Sequence, residues 1–200
     1  MAPAISFQFD FSSPYSYLAG EKIDDLAARH GREVTWRPLL LGIVFQHWGT
    51  VSIVKQPGQS DYAPHDMARS ARFMGVPFRF PSRFPVPTQQ AARAFYWLDD
   101  HDAVAAKRFA RAVFSAYYVD DRDISSPATV LDIAADLGVD RQALTAALAS
   151  TELKERLRRE TEAAIEAGVF GAPWIVVDGE IFWGADRLPQ IDKWLASGGF

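Results

Sequence analysis

Near the start of the chain, Ile5, Phe7, Phe9 and Phe11 alternate with Ser6, Gln8 and Asp10. A period of two marks a strand with one strongly apolar face, here predicted over residues 4–11. Ser12-Ser13-Pro14 then supplies a capping residue followed by proline at the first helical position, which starts a helix. With Tyr17, Leu18, Ile23 and Leu26 inside it, this helix is expected over 14–29 and to be ended by Gly31. Glu33-Val34-Thr35-Trp36 predicts a second short strand. Strand, helix and strand in so short a stretch point to a parallel pair joined by a crossover helix.

From Leu39 to about Gly168, helical periodicity replaces alternation. Helices are predicted over 61–74, over 89–118 as one long element, from Pro127, from Asp140, and over 151–167. Pro77, Pro81, Pro85 and Pro87 make the stretch between the first two a loop. Alternation returns in Trp174-Ile175-Val176-Val177 and Glu180-Ile181-Phe182-Trp183, joined by Asp178-Gly179, a favoured hairpin turn. A last helix is expected over 187–196, with Asp186 as its cap and Pro189 in its first turn. This order predicts an α/β fold, in which residues 1–40 and 168–200 form one domain and 41–167 a large all-helical insertion.

Composition narrows the chemistry. A chain of 200 residues is long enough for a real core, and 48% hydrophobic with 23% charged residues describes a soluble globular protein. The net charge of -4 argues against nucleic acid as a partner. No apolar run approaches the roughly 20 residues of a membrane helix, and no basic region leads into an apolar stretch at the N-terminus. A cytoplasmic protein without a membrane partner is therefore expected. The chain has no cysteine, so it can form neither a disulfide nor a thiolate, and sulfur chemistry must arrive on a ligand. His30, His47, His65 and His101 lack metal-ligand spacing, so no metal is expected. Neither a phosphate-binding glycine loop nor a Ser-His-Asp arrangement is evident.

Three stretches carry a resemblance: Asp10-Phe11-Ser12-Ser13-Pro14-Tyr15-Ser16-Tyr17-Leu18-Ala19, Gly168-Val169-Phe170-Gly171-Ala172-Pro173, and Phe182-Trp183-Gly184-Ala185-Asp186-Arg187-Leu188. In this order and at these separations the chain resembles the 2-hydroxychromene-2-carboxylate isomerases. Those are relatives of the kappa-class glutathione transferases within the DsbA-like thioredoxin group. The resemblance spans nearly the whole chain. It implies a thioredoxin-like domain interrupted by a helical insertion, glutathione as cofactor, a small aromatic substrate, and the homodimer common in that family. Ser13-Pro14-Tyr15-Ser16 stands where thiol–disulfide relatives carry Cys-Pro-Tyr-Cys, so both thiols are replaced by hydroxyls.

On the residues alone, Ser13 is either a plain helix cap or a hydroxyl facing an anion at the positive end of a helix. The resemblance favours the second, as the catalytic donor to the sulfur of glutathione. Stabilising that anion by about 1.4–2.7 kcal/mol would acidify the thiol about ten- to a hundredfold. Ala172-Pro173 resembles the cis-proline dipeptide facing this helix start, with the Ala172 backbone left to pair with the ligand; the alternative is an ordinary trans proline before a strand. Asp186 and Arg187 are implied to hold the γ-glutamyl end, although aspartate there also suits a simple cap. Phe11, Tyr15, His47, Trp48 and Lys55 are candidates for the substrate pocket, and Trp183 is read as packing. The family's asparagine after a phenylalanine–proline pair is absent, since Phe84-Pro85-Val86-Pro87-Thr88 stands there.

The leading functional expectation is glutathione-dependent isomerisation of 2-hydroxychromene-2-carboxylate and trans-o-hydroxybenzylidenepyruvate, a step of aromatic compound degradation. The alternatives are a kappa-like transferase or peroxidase, which consumes glutathione, and a cysteine-less thioredoxin-fold binding module, which has no affinity for it.

Overall fold

The computed structural model describes residues 4–200. Strands β1 (Ile5–Phe9) and β2 (Val34–Pro38) lie parallel, with Ile5 opposite Val34 and Phe9 opposite Pro38. Strands β3 (Trp174–Val177) and β4 (Glu180–Trp183) form the expected hairpin, and β3 runs antiparallel to β1. Asp178 and Gly179 both take positive φ at its turn, 53° and 89°, as a tight hairpin requires. The sheet order is β2-β1-β3-β4. Between β2 and β3 the described chain is helical: α3 (Leu41–His47), α4 (Tyr62–Met74), α5 (Gln89–Asp99), α6 (Ala103–Tyr118), α7 (Pro127–Asp136), α8 (Arg141–Ala149) and α9 (Thr151–Glu166), with a single 3₁₀ turn at Ile53–Lys55. This is the thioredoxin-like α/β architecture with helices inserted in it. Among the described residues no helix is long and apolar enough to cross a membrane.

Several boundaries differ from the sequence expectation, each for a local reason. β1 stops at Phe9 rather than Phe11 because the Asp10 carbonyl accepts the Ser13 N–H at 2.9 Å, which turns the chain out of the sheet. β2 runs past Trp36 to Pro38, where proline ends the ladder without leaving a donor unpaired. The expected helix over 14–29 is two, α1 (Pro14–Gly20) and α2 (Ile23–Arg29). Gly20 sits against the Trp36 indole, where an added Cβ would lie 3.0 Å from the ring, and the Lys22 N–H turns back to Ala19. The expected long helix over 89–118 is also two. Asp102 breaks it by accepting the Val104 and Ala105 N–H groups, which caps α6. Finally, the last helix, α10 (Leu188–Ser197), starts one residue late, after a 3₁₀ turn at Ala185–Arg187.

The apolar face of β1 organises the core. Phe9 meets Phe7 and Trp36 within the sheet, and Phe11, Phe95 of α5 and Phe114 of α6 beyond it, with ring centroids 5.1–5.7 Å apart. Sheet and inserted helices thus share one continuous apolar cluster. Such aromatic pairs add about 0.5–1.5 kcal/mol each beyond area burial. Replacing Phe9 by alanine should therefore destabilise the protein by about 3–5 kcal/mol, measured by equilibrium denaturant unfolding; a loss below 1 kcal/mol would mean that Phe9 is not the centre of this cluster.

Candidate active site

Antiparallel pairing of β1 with β3 brings the end of one strand beside the start of the other, and the site forms there. Ser13, in extended backbone conformation, caps α1: its Oγ accepts the Ser16 N–H at 3.2 Å. The same hydroxyl donates to the Ala172 carbonyl at 3.0 Å, across 159 residues of sequence. The Ala172–Pro173 peptide is cis, as expected. Ser13 is only 4% exposed. The Ala172 carbonyl, which the sequence reading left open for a ligand, is thus engaged by Ser13. The helix start also offers fewer donors than its position suggested, because Pro14 has no N–H and that of Ser16 is taken.

Beside this contact opens a cavity of about 880 Å3, walled by α1, α2, α4 and the segment running from β4 into α10. Tyr15 and Ala172 line the end nearest Ser13, and Trp183, Asp186 and Arg187 continue it. Its other walls include Leu26, Phe73, Met74 and Leu188, an apolar lining in which Phe73 stays 88% exposed. Tyr15 donates to Asp66 Oδ2 at 2.6 Å, tying α1 to α4. Burial pushes the Tyr15 phenol up, and so does this bond. Burial also works against the Asp66 carboxylate, but its bonds from Tyr15 and Arg69 hold it below the usual range.

Asp186 does not cap α10. It lies in the 3₁₀ turn, and its carboxylate accepts from Arg187 Nη2 at 2.9 Å. Gly184, at φ 111°, leads into this turn, and an added Cβ there would lie 2.4 Å from Asp186 Oδ1. Trp183 is more than packing: it is half exposed and walls the cavity. Its indole lies over Gly171, where an added Cβ would fall 2.4 Å from Nε1. Residue 171 must therefore be glycine for the tryptophan to lie as it does.

Four expected pocket residues lie elsewhere. Phe11 is fully buried between Phe9 and Phe114, because the turn at Asp10 points it into the core. His47 and Trp48 are exposed at the end of α3 and line no part of the cavity; Trp48 Nε1 instead donates to the Val169 carbonyl at 2.8 Å. Lys55 is exposed on its 3₁₀ turn, and Ile53 of that turn faces the cavity in its place.

The sequence reading also passed over Asp10. It is the one charged residue among the buried described residues, at 3% exposure. Its Oδ1 accepts the Ser12 N–H and its Oδ2 the Leu41 N–H, both at 2.7 Å, and Thr88 Oγ1 lies 3.2 and 3.3 Å from the two oxygens. The signal was present: an aspartate two residues before the serine whose amide it takes is the pattern of an Asx turn. Burial pushes the Asp10 carboxyl up to about 6, against the lowering effect of the Leu41, Ser12 and Thr88 bonds. The native state therefore binds more protons than the unfolded chain between the ordinary value of 3.8 and about 6, and stability falls as pH rises through that window. Relative to Asp10→Asn, the wild type should lose about 2 kcal/mol of unfolding free energy between pH 4 and 6, read from denaturant curves across pH. A constant difference would show that Asp10 has an ordinary carboxylate ionisation.

Comparison with known proteins agrees with this geometry. The DSBA-like thioredoxin domain model matches residues 4–196. The chain is 33% identical over 194 residues to 2-hydroxychromene-2-carboxylate isomerase of Pseudomonas putida, covering 94% of this chain and 92% of that protein. It is 29% identical to glutathione S-transferase kappa 2 of Caenorhabditis elegans, over 96% and 91% of the two chains. A solved 2-hydroxychromene-2-carboxylate isomerase superposes with a TM-score of 0.88 at 29% identity, over 97% of this chain and 95% of that one. The chain belongs to the DsbA-like thioredoxin family, in the branch that holds the 2-hydroxychromene-2-carboxylate isomerases and kappa-class glutathione transferases.

Proposed function

We propose that this protein is a glutathione-dependent isomerase that interconverts 2-hydroxychromene-2-carboxylate and trans-o-hydroxybenzylidenepyruvate. One observation carries the reading: in a chain without cysteine, a serine hydroxyl caps α1 against a cis Ala172–Pro173 peptide at the edge of a large cavity. The arrangement suits a sulfur brought by a ligand. The relatives named 2-hydroxychromene-2-carboxylate isomerase support an isomerase of that substrate class.

The residues present fit glutathione. Ser13 has one proton to give, now spent on the Ala172 carbonyl. With glutathione bound, the hydroxyl would be the group to hold the sulfur, and the Ala172 carbonyl would then be free to accept an N–H of the tripeptide. Such an exchange would favour the anion, since the hydroxyl would donate to it. Asp186 and Arg187, exposed on their turn, offer a carboxylate to the γ-glutamyl ammonium and a guanidinium to its carboxylate. When bound, glutathione supplies a thiolate, a nucleophile that is also a good leaving group, as reversible addition to an enone requires. The apolar side chains of Leu26, Phe73, Met74 and Leu188 offer contact area to an aromatic ring. The cytosol, where thiols stay reduced, is the compartment that suits this chemistry.

A second reading, transfer of glutathione to an electrophile, is supported by the kappa-class relatives. Product analysis separates the two, since the thiol pool is unchanged by isomerisation and falls during transfer. Calorimetric titration with glutathione tests the shared premise, and absence of binding would leave only a non-catalytic module. Ser13→Ala should raise the ionisation midpoint of the bound thiol and slow neutral-pH turnover about tenfold, the loss of about 1–1.5 kcal/mol from one hydrogen bond. Activity should recover partly as pH rises. Ultraviolet thiolate absorbance across pH reads the midpoint directly; equal midpoints in both proteins would reduce Ser13 to a helix cap.

A further inference from the structure

The buried carboxylate of Asp10 has no part in the chemistry proposed above, yet three segments of chain converge on it. Its side chain takes the Ser12 N–H of the β1–α1 loop, the Leu41 N–H that opens α3, and the Thr88 hydroxyl that precedes α5. Its own carbonyl takes the Ser13 N–H, and Ser12 Oγ in turn accepts the Val86 N–H at 3.1 Å. Ser13 is held from both sides of the same residue, at φ -100° and ψ 112°. In that conformation its hydroxyl reaches both the Ser16 N–H and the Ala172 carbonyl.

We propose that the Asp10 carboxylate is a positioning residue for Ser13: ionised, it locks the Ser12–Ser13 turn against α3 and the loop before α5, and protonation releases that turn. Two short bonds from backbone amides, one to each oxygen, and the bond from the Thr88 hydroxyl are all stronger to the ionised carboxylate than to the neutral acid. A proton on either oxygen weakens its acceptance of the Ser12 or the Leu41 N–H and turns the Thr88 hydroxyl from donor to acceptor. Asparagine cannot replace it, because either orientation of the amide sets an NH2 group against one of those donors. A buried carboxylate lowers stability unless its bonds compensate. Here the cost is retained at the residue that fixes Ser13.

The surroundings leave Asp10 as the group that titrates in this region. No described cation pairs with it. From α6 it faces Tyr117 and Tyr118, phenols that burial pushes up and keeps neutral. From α3 it faces only a backbone amide, and from the loop before α5 only a hydroxyl. The shift of Asp10 to about 6 places the release in mildly acidic solution.

The inference rests on the glutathione reading only for its effect on ligand binding, so the primary test uses the ligand-free protein. In an NMR pH titration, the Asp10 carboxyl carbon and the Ser12, Ser13 and Leu41 amides should move together with one midpoint near 6. Thr88→Val removes a bond to the charged form and should raise that shared midpoint, an effect a merely structural contact would not produce. In Asp10→Asn the three amides should be flat across the range. Glutathione affinity of the wild type should follow the same curve, falling about tenfold by pH 5, and that of Asp10→Asn should be low and independent of pH. A Ser13 amide that stays still while the Asp10 carboxyl titrates overturns the proposal, as does a midpoint unmoved in Thr88→Val. If the amides titrate as described but glutathione binds at no pH, the cofactor reading fails and the role of Asp10 stands.

Discussion

Pairing of β3 against β1 in the antiparallel sense is the constraint on which the site depends. Gln8 lies opposite Trp174, so the chain leaving β1 and the chain arriving at β3 occupy the same edge of the sheet. The first of these carries Asp10 to Ser13, and the second carries Gly171 to Pro173. Parallel pairing would have placed them at opposite ends. The cavity follows from the same geometry, since α1 and α2 grow from the first segment while the hairpin returns the chain to Trp183 and α10 along its flank.

Elements whose signals are local were legible in the residues. The alternation through Phe9, the Ser13-Pro14 helix start, the Asp178-Gly179 turn and the aspartate at the head of α8 each state their structure within a few positions. The errors fall where one specific contact overrides the periodic pattern. Nothing around Gly20 announces that Trp36 will press on it, and the period-two run through Phe11 hides a turn made by the side chain of Asp10. Of the site, the meeting of Ser13 with Ala172 could be anticipated through the resemblance. The walls of the cavity could not, because they come from faces of α2, α4 and α10 whose mutual placement no spacing encodes. His47, Trp48 and Lys55 lie outside those walls.

The polar groups behind Ser13 show what fixing one hydroxyl demands. An apolar turn in place of Asp10 would leave the Ser12 and Leu41 amides buried without acceptors, whereas the carboxylate satisfies both and carries the penalty of its own burial. Ser16 illustrates the opposite choice: its Oγ is buried and has no hydrogen-bond partner among the described residues. One turn apart, two serines stand in place of two thiols, and only the first is embedded in a network.

The shared core has a consequence for the history of such a chain. Phe95 and Phe114 come from the helices between β2 and β3, yet they cover the same face of β1 that carries Phe7 and Phe9. A segment that begins as an accessory and becomes one wall of its host can no longer be excised. Deleting it would strip the central strand to water, so the outer surfaces of these helices are open to drift while their presence is obligatory, and the two parts must melt as one unit.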